Sequence, residues 1–99
     1  MDLETIKDIV CVAYKITKDE LCSKSRIHLY VMARECYCHF ARKYTLESTI
    51  AIGRAINRHH STIIMSAQAY KNDFAYDFEF KKTSKEIEKA IKERMYDEA

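Results

Sequence analysis

The chain has 99 residues, 47% hydrophobic and 32% charged, which is one domain of ordinary globular composition and excludes an intrinsically disordered chain. It has no proline and a single glycine, Gly53, which excludes a many-stranded hairpin fold and a glycine-rich phosphate cradle, and with the latter nucleotide hydrolysis or dinucleotide binding. The net charge of +2 divides unevenly, with −2 over residues 1–20, +6 over residues 21–72 and −2 over residues 73–99, so a basic centre between acidic flanks points to a surface that meets a polyanion.

The expected fold is all-α. Leu3, Ile6, Ile9, Val10 and Ala13 form one helical stripe over Leu3 to Tyr14, with Lys7 and Asp8 outside it. Thr17-Lys18-Asp19-Glu20 reads as a capping box opening a very short helix that ends near Leu21 or Cys22. Ser23-Lys24-Ser25-Arg26 lacks apolar periodicity and reads as an exposed basic loop. The longest helix is expected from about Ile27 to Tyr44. Val31, Ala33, Tyr37, Cys38 and Ala41 face inward there, and Arg34, Arg42 and Lys43 are left to solvent or a partner. Ser48 suits the N-cap of a short helix through Ile56, and Asn57 suits a left-handed chain reversal. A further helix starts around His59 to Ser61 and runs to about Asn72, with Ile63, Ile64, Ala67 and Tyr70 as its apolar face. Two short helices so joined, the second opening in polar groups, describe a helix-turn-helix. Gly53 costs about 1 kcal/mol inside the first of them, so a close approach of another element is expected there.

Phe74, Tyr76, Phe78 and Phe80 alternate with Ala75, Asp77 and Glu79, which predicts an extended connector over residues 73–82. Thr83-Ser84-Lys85-Glu86 then reads as a second capping box, starting an amphipathic C-terminal helix with Ile87, Ala90, Ile91 and Met95 inside. The organisation expected is a helix-turn-helix domain over residues 1–72, with residues 73–99 packed on it or extending from it. No apolar run reaches the roughly 18–20 residues of a membrane span, and Met1-Asp2-Leu3-Glu4 is unlike a secretory signal. Cys11, Cys22, Cys36 and Cys38 are expected as free thiols in a reducing cytoplasm. Positions 36 and 38 point about 200° apart on a helix, so no metal site is expected at Cys36-Tyr37-Cys38-His39.

Several blocks carry a resemblance by their order and spacing. They are Tyr14-Lys15-Ile16, Asp19-Glu20-Leu21, Ser23-Lys24-Ser25-Arg26, Ala33-Arg34, Arg42-Lys43-Tyr44-Thr45, Ile52-Gly53 and Arg58-His59-His60-Ser61-Thr62-Ile63-Ile64. From about Ile6 to Tyr70 the chain resembles the C-terminal DNA-binding domain of the bacterial replication initiator DnaA. The resemblance implies an all-α, Trp-repressor-like fold in which Arg-Asp-His-(Thr/Ser)-Thr opens the recognition helix. It implies major-groove contacts from His59, His60, Ser61 and Thr62, and minor-groove or backbone contacts from Lys24 and Arg26. It implies phosphate contacts from Arg34, Arg42, Lys43, Arg54 and Arg58. Two positions depart from the family pattern. His59 stands for the family's Asp, and an Asp can accept from cytosine N4 whereas a protonated His cannot, which implies a target other than the family's usual nine-base box. Ile27 and His28 stand where Lys or Arg is frequent, which implies weaker base-independent affinity.

The expected function is therefore sequence-specific binding of double-stranded DNA at the nucleoid of a bacterium or phage, in replication initiation or its regulation, by a stand-alone domain without nucleotide, cofactor, metal or membrane. No attached nucleotide-binding domain is expected, so the chain should not melt an origin by itself. The alternative is a protein–protein module or transcriptional regulator on the same scaffold, with a partner meeting residues 74–99. No nucleophile–base or paired acid/base spacing suggests an enzyme.

Overall fold

A computed structural model describes residues 1–98, folded into six α-helices with no strand among them. Local signals set the first turns. Asp2 caps α1 (Leu3–Tyr14) by accepting from the Thr5 amide at 2.8 Å, and Lys15 ends it in the left-handed region at φ 55°. The Thr17–Glu20 capping box opens α2 (Lys18–Cys22), with reciprocal bonds of 3.0 and 2.8 Å. Then come α3 (His28–Tyr44), α4 (Thr49–Arg54), α5 (His60–Tyr76) and α6 (Phe78–Glu98).

α3 is the axle of the fold. It packs against each of the other five helices, and from Ala33 to Ala41 every residue but the half-buried His39 is buried. A single inward stripe therefore does not describe it. The core joins residues of every helix, including Ile6 and Val10 of α1, Leu21 of α2, Tyr37 and Phe40 of α3, Ile52 of α4, Ile63 of α5, and Phe80, Ile87 and Ile91 of α6. The Tyr37 hydroxyl donates to the Ile52 carbonyl at 2.9 Å, and the hydroxyls of Tyr70 and Ser84 share a hydrogen bond between α5 and α6.

Five expectations are corrected. Lys7 is buried rather than outside the stripe, because its ammonium reaches across to the Ala55 carbonyl at 2.9 Å. Arg34 is 8% exposed rather than left to solvent. Residues 73–82 are not an extended connector. α5 runs on to Tyr76 and α6 begins at Phe78, with only Asp77 between them. The Asp77 amide closes α5 by donating to the Asp73 carbonyl at 2.8 Å, and its carboxylate accepts from the Phe80 amide at 3.1 Å to open α6. The Thr83 box consequently lies inside a helix, and Met95 is exposed.

Candidate nucleic-acid interface

α4 and α5 form the helix-turn-helix. Ser48 caps α4 by accepting from the Ala51 amide at 3.1 Å, and Asn57 reverses the chain at φ 58°. Gly53 is required by the turn. A Cβ there would collide with the Arg58 carbonyl oxygen, whose residue returns its own amide to the Gly53 carbonyl at 2.8 Å. Ile52, Ile56 and Ile63 lie in the core below and fix the angle between the two helices.

The first turn of α5 is capped by a histidine. His59 Nδ1 accepts from the Ser61 amide at 3.2 Å and lies 2.8 Å from the Ser61 hydroxyl. The His59 and His60 rings lie with centroids 4.1 Å apart. The ring therefore satisfies a donor that Ser, Thr or Asp ordinarily satisfies at a helix start. His59, His60 and Ser61 are exposed, and Thr62 is half-buried. Beyond them Met65 (71% exposed), Gln68 and Asn72 continue Ser61's outward face at helical spacing. The resemblance assigned these three no role, although their spacing from Ser61 signals them.

The loop after α2 faces this helix. Lys24 and Arg26 are exposed, and with Val31, Arg34, Arg58, Thr62 and Ser66 they line a cleft of about 270 Å³. Four cationic side chains border it and no carboxylate does. Arg34 spends its guanidinium on backbone carbonyls: Nε on Leu21 at 2.7 Å, Nη1 on Ser25 at 2.7 Å, and Nη2 on Ser23 at 2.6 Å and Glu20 at 3.2 Å. Arg58 bonds the Cys22 carbonyl at 3.3 Å and, through Nη2, the same Ser23 carbonyl. Burial, and then the charge of Arg58, hold the Arg34 pKa below its ordinary value; a guanidinium remains charged even so.

The remaining candidates lie elsewhere. Arg42 and Arg54 are exposed near the C-terminal ends of α3 and α4 and do not line the cleft. Lys43 is ion-paired with Glu88 of α6 at 2.6 Å, beside a separate concavity with His39, Tyr70 and Phe74. His39 stacks on Tyr70 at 3.8 Å, and burial lowers its pKa to about 4, so it is neutral at physiological pH. Val31 and Ser66 are cleft residues that sequence reasoning missed. Ser66 follows Thr62 by four residues, which is the signal that could have found it.

The bacterial DnaA helix-turn-helix family model matches residues 3–69, from the start of α1 through most of α5. The chain belongs to that family. Relatives of this DnaA-like helix-turn-helix DNA-binding domain include the chromosomal replication initiator protein DnaA of Desulfatibacillum aliphaticivorans, 36% identical over 64 residues covering 65% of this chain and 14% of the relative. The protein of that name from Citrifermentans bemidjiense is 33% identical over 90 residues, 90% of this chain and 20% of its own. That of Bacteroides thetaiotaomicron is 29% identical over 93 residues, 93% and 20%. The chain thus spans a fifth or less of the length of these relatives. Among the described residues no helix is long and apolar enough to cross a membrane, and no group of three or more His, Cys, Asp or Glu could hold a metal ion.

Proposed function

We propose that this chain binds double-stranded DNA with sequence preference, placing the start of α5 in the major groove and the Lys24–Arg26 loop against the adjacent backbone or minor groove. The observation that carries this reading is the cleft beside α5, bordered by four cations and no carboxylate, with exposed hydrogen-bonding groups at the helix opening next to it. Cations clustered without acids suit a phosphate backbone, whose neutralisation releases counterions. His60, Ser61 and Thr62 are of the types that bond base edges, and the positive end of the helix dipole favours a nearby phosphate. With His59 as the cap, the preferred site differs from the family's usual box. The role proposed is in replication initiation or its regulation, at the nucleoid.

Titration of random duplex DNA at several salt concentrations, followed by selection from a random duplex library, tests this. Binding should weaken steeply with salt, and a preferred site should emerge. His60→Ala and Ser61→Ala should flatten the preference, whereas Lys24→Ala and Arg26→Ala should weaken binding to all sequences. A preference untouched by both helix-end substitutions removes the recognition role.

A protein-partner surface over residues 74–99, the last of which lies outside the described residues, is the second reading, supported by Tyr76 at 85% exposure beside the exposed Phe78. Replacing both aromatics with Ser should then abolish the partner's binding and leave duplex affinity unchanged.

A further inference from the structure

The two arginines between the basic loop and α5 share an unusual arrangement. Both guanidiniums donate to one carbonyl, that of Ser23. Between them they take up the carbonyls of Glu20, Leu21, Cys22, Ser23 and Ser25 on the α2 side, while Arg58 also bonds the Ile56 and Asn57 carbonyls of its own turn at 3.2 Å. Neither has a carboxylate within ion-pairing distance among the described residues. Two like charges have thus been brought together and half or fully buried, held by backbone carbonyls and, for Arg34, also by the Ser23 hydroxyl at 3.2 Å.

From this geometry we infer that Arg34 and Arg58 are positioning residues for DNA reading, a clamp that fixes the Ser23–Ile27 loop at a set distance from the start of α5. Arg34 projects from α3 and Arg58 immediately precedes the His59 cap of α5, so the Ser23 carbonyl is tied at once to the central helix and to the recognition helix. Inside the loop, the Ser23 hydroxyl donates to Glu20 at 2.8 Å and the Ser25 hydroxyl accepts from the Ile27 amide at 3.2 Å, which completes the frame. With the carbonyls of Ser23 and Ser25 turned onto Arg34, the intervening Lys24 and the following Arg26 remain exposed beside the cleft. The clamp needs a planar fork, because its acceptors belong to separate residues and lie to several sides of each guanidinium. A lysine carries the same charge on one nitrogen and cannot span them. The arginines act on the reading of DNA through Lys24, Arg26 and the helix opening, in addition to the positive charge they lend the cleft.

The inference rests on the DNA-binding reading for its effect on DNA, but the clamp itself is testable without DNA. Arg34→Lys and the less buried Arg58→Lys, each in the full chain, keep the charge and remove the fork. Amide hydrogen exchange of residues 23–27 should accelerate at least tenfold in both variants, while the amides of α6 keep their protection. Affinity for the duplex chosen by library selection should fall at least tenfold, and affinity for random duplex less than threefold, so the ratio between them collapses. Retention of loop protection and of that ratio by both lysine variants overturns the inference, since charge alone then suffices. So does an equal loss of protection in the loop and in α6, which assigns the arginines to overall stability. If the parent chain binds no duplex at all, the DNA-binding reading fails, and loop protection alone still decides for or against the clamp.

Discussion

Glu35 lies inside the body at the α3–α5 contact, and its Oε1 has no hydrogen-bond partner. Burial, reinforced by the neighbouring Asp73 carboxyl, pushes its pKa up to about 8. The folded state therefore holds this proton more tightly than the unfolded chain does. The stabilisation is complete below the ordinary glutamate range and is lost as pH rises through about 8. Glu35→Gln should flatten this pH dependence and raise stability at pH 9 by roughly 1–3 kcal/mol, with little change at pH 4, as read by denaturant unfolding. Gly53→Ala should go the other way. Alanine gains about 1 kcal/mol in helix propensity, but its methyl would meet the Arg58 carbonyl, so a net loss of about 1–3 kcal/mol is expected on the same measurement. His59→Asp should keep the cap and strengthen it by about 0.5–1 kcal/mol through the helix dipole. Library selection with that variant should return a different preferred duplex from the parent's. At this scale, what the sequence concealed were the cations whose partners are backbone carbonyls. Lys7 and Arg34 bond Ala55, Leu21, Ser23 and Ser25 through main-chain oxygens, which every residue type offers, so no pattern of side chains betrays their burial.

At the scale of elements, caps were the most legible feature. The Thr17–Glu20 box, the Ser48 cap and the left-handed Asn57 each act through a local side chain or a local dihedral preference, and each stands where its residue type implied. The aromatic stretch was illegible because two helical periods meet there. Phe74 continues the α5 face four residues after Tyr70, whereas Phe80 begins the α6 face followed by Ser84, Ile87 and Ile91. The break at Asp77 shifts one period against the other and counterfeits an alternation of two. Ser84 adds to the concealment, as a polar residue buried by its bond to Tyr70. Asp77→Ala should cost about 1 kcal/mol by removing the α6 cap, and Phe80→Ala about 3–5 kcal/mol by opening a cavity where α6 meets α5, both checked by thermal unfolding.

Across the whole molecule, the helices divide the labour. Every helix contributes to the core, while the cleft is presented by the loop after α2, the first half of α3, the α4–α5 turn and the first turns of α5. The basic stretch over residues 21–72 proved to be more than one surface. Lys24, Arg26, Arg34 and Arg58 converge on the cleft, and Lys43 turns away to pair with Glu88. Charge counting found the region but could not sort its cations, because that depends on which loop, turn or helix face each residue occupies. In the proposed function, the start of α5 reads bases while the loop beside it engages the backbone. The most direct test measures affinities of the parent, His60→Ala and Lys24→Ala chains for a library-selected duplex and for random duplex, each over a salt series. His60→Ala should lower only the selected-duplex affinity, while Lys24→Ala should lower both alike and make the salt slope shallower by about one unit. Equal losses on both duplexes for His60→Ala, or salt-independent binding by the parent, would contradict the proposed function.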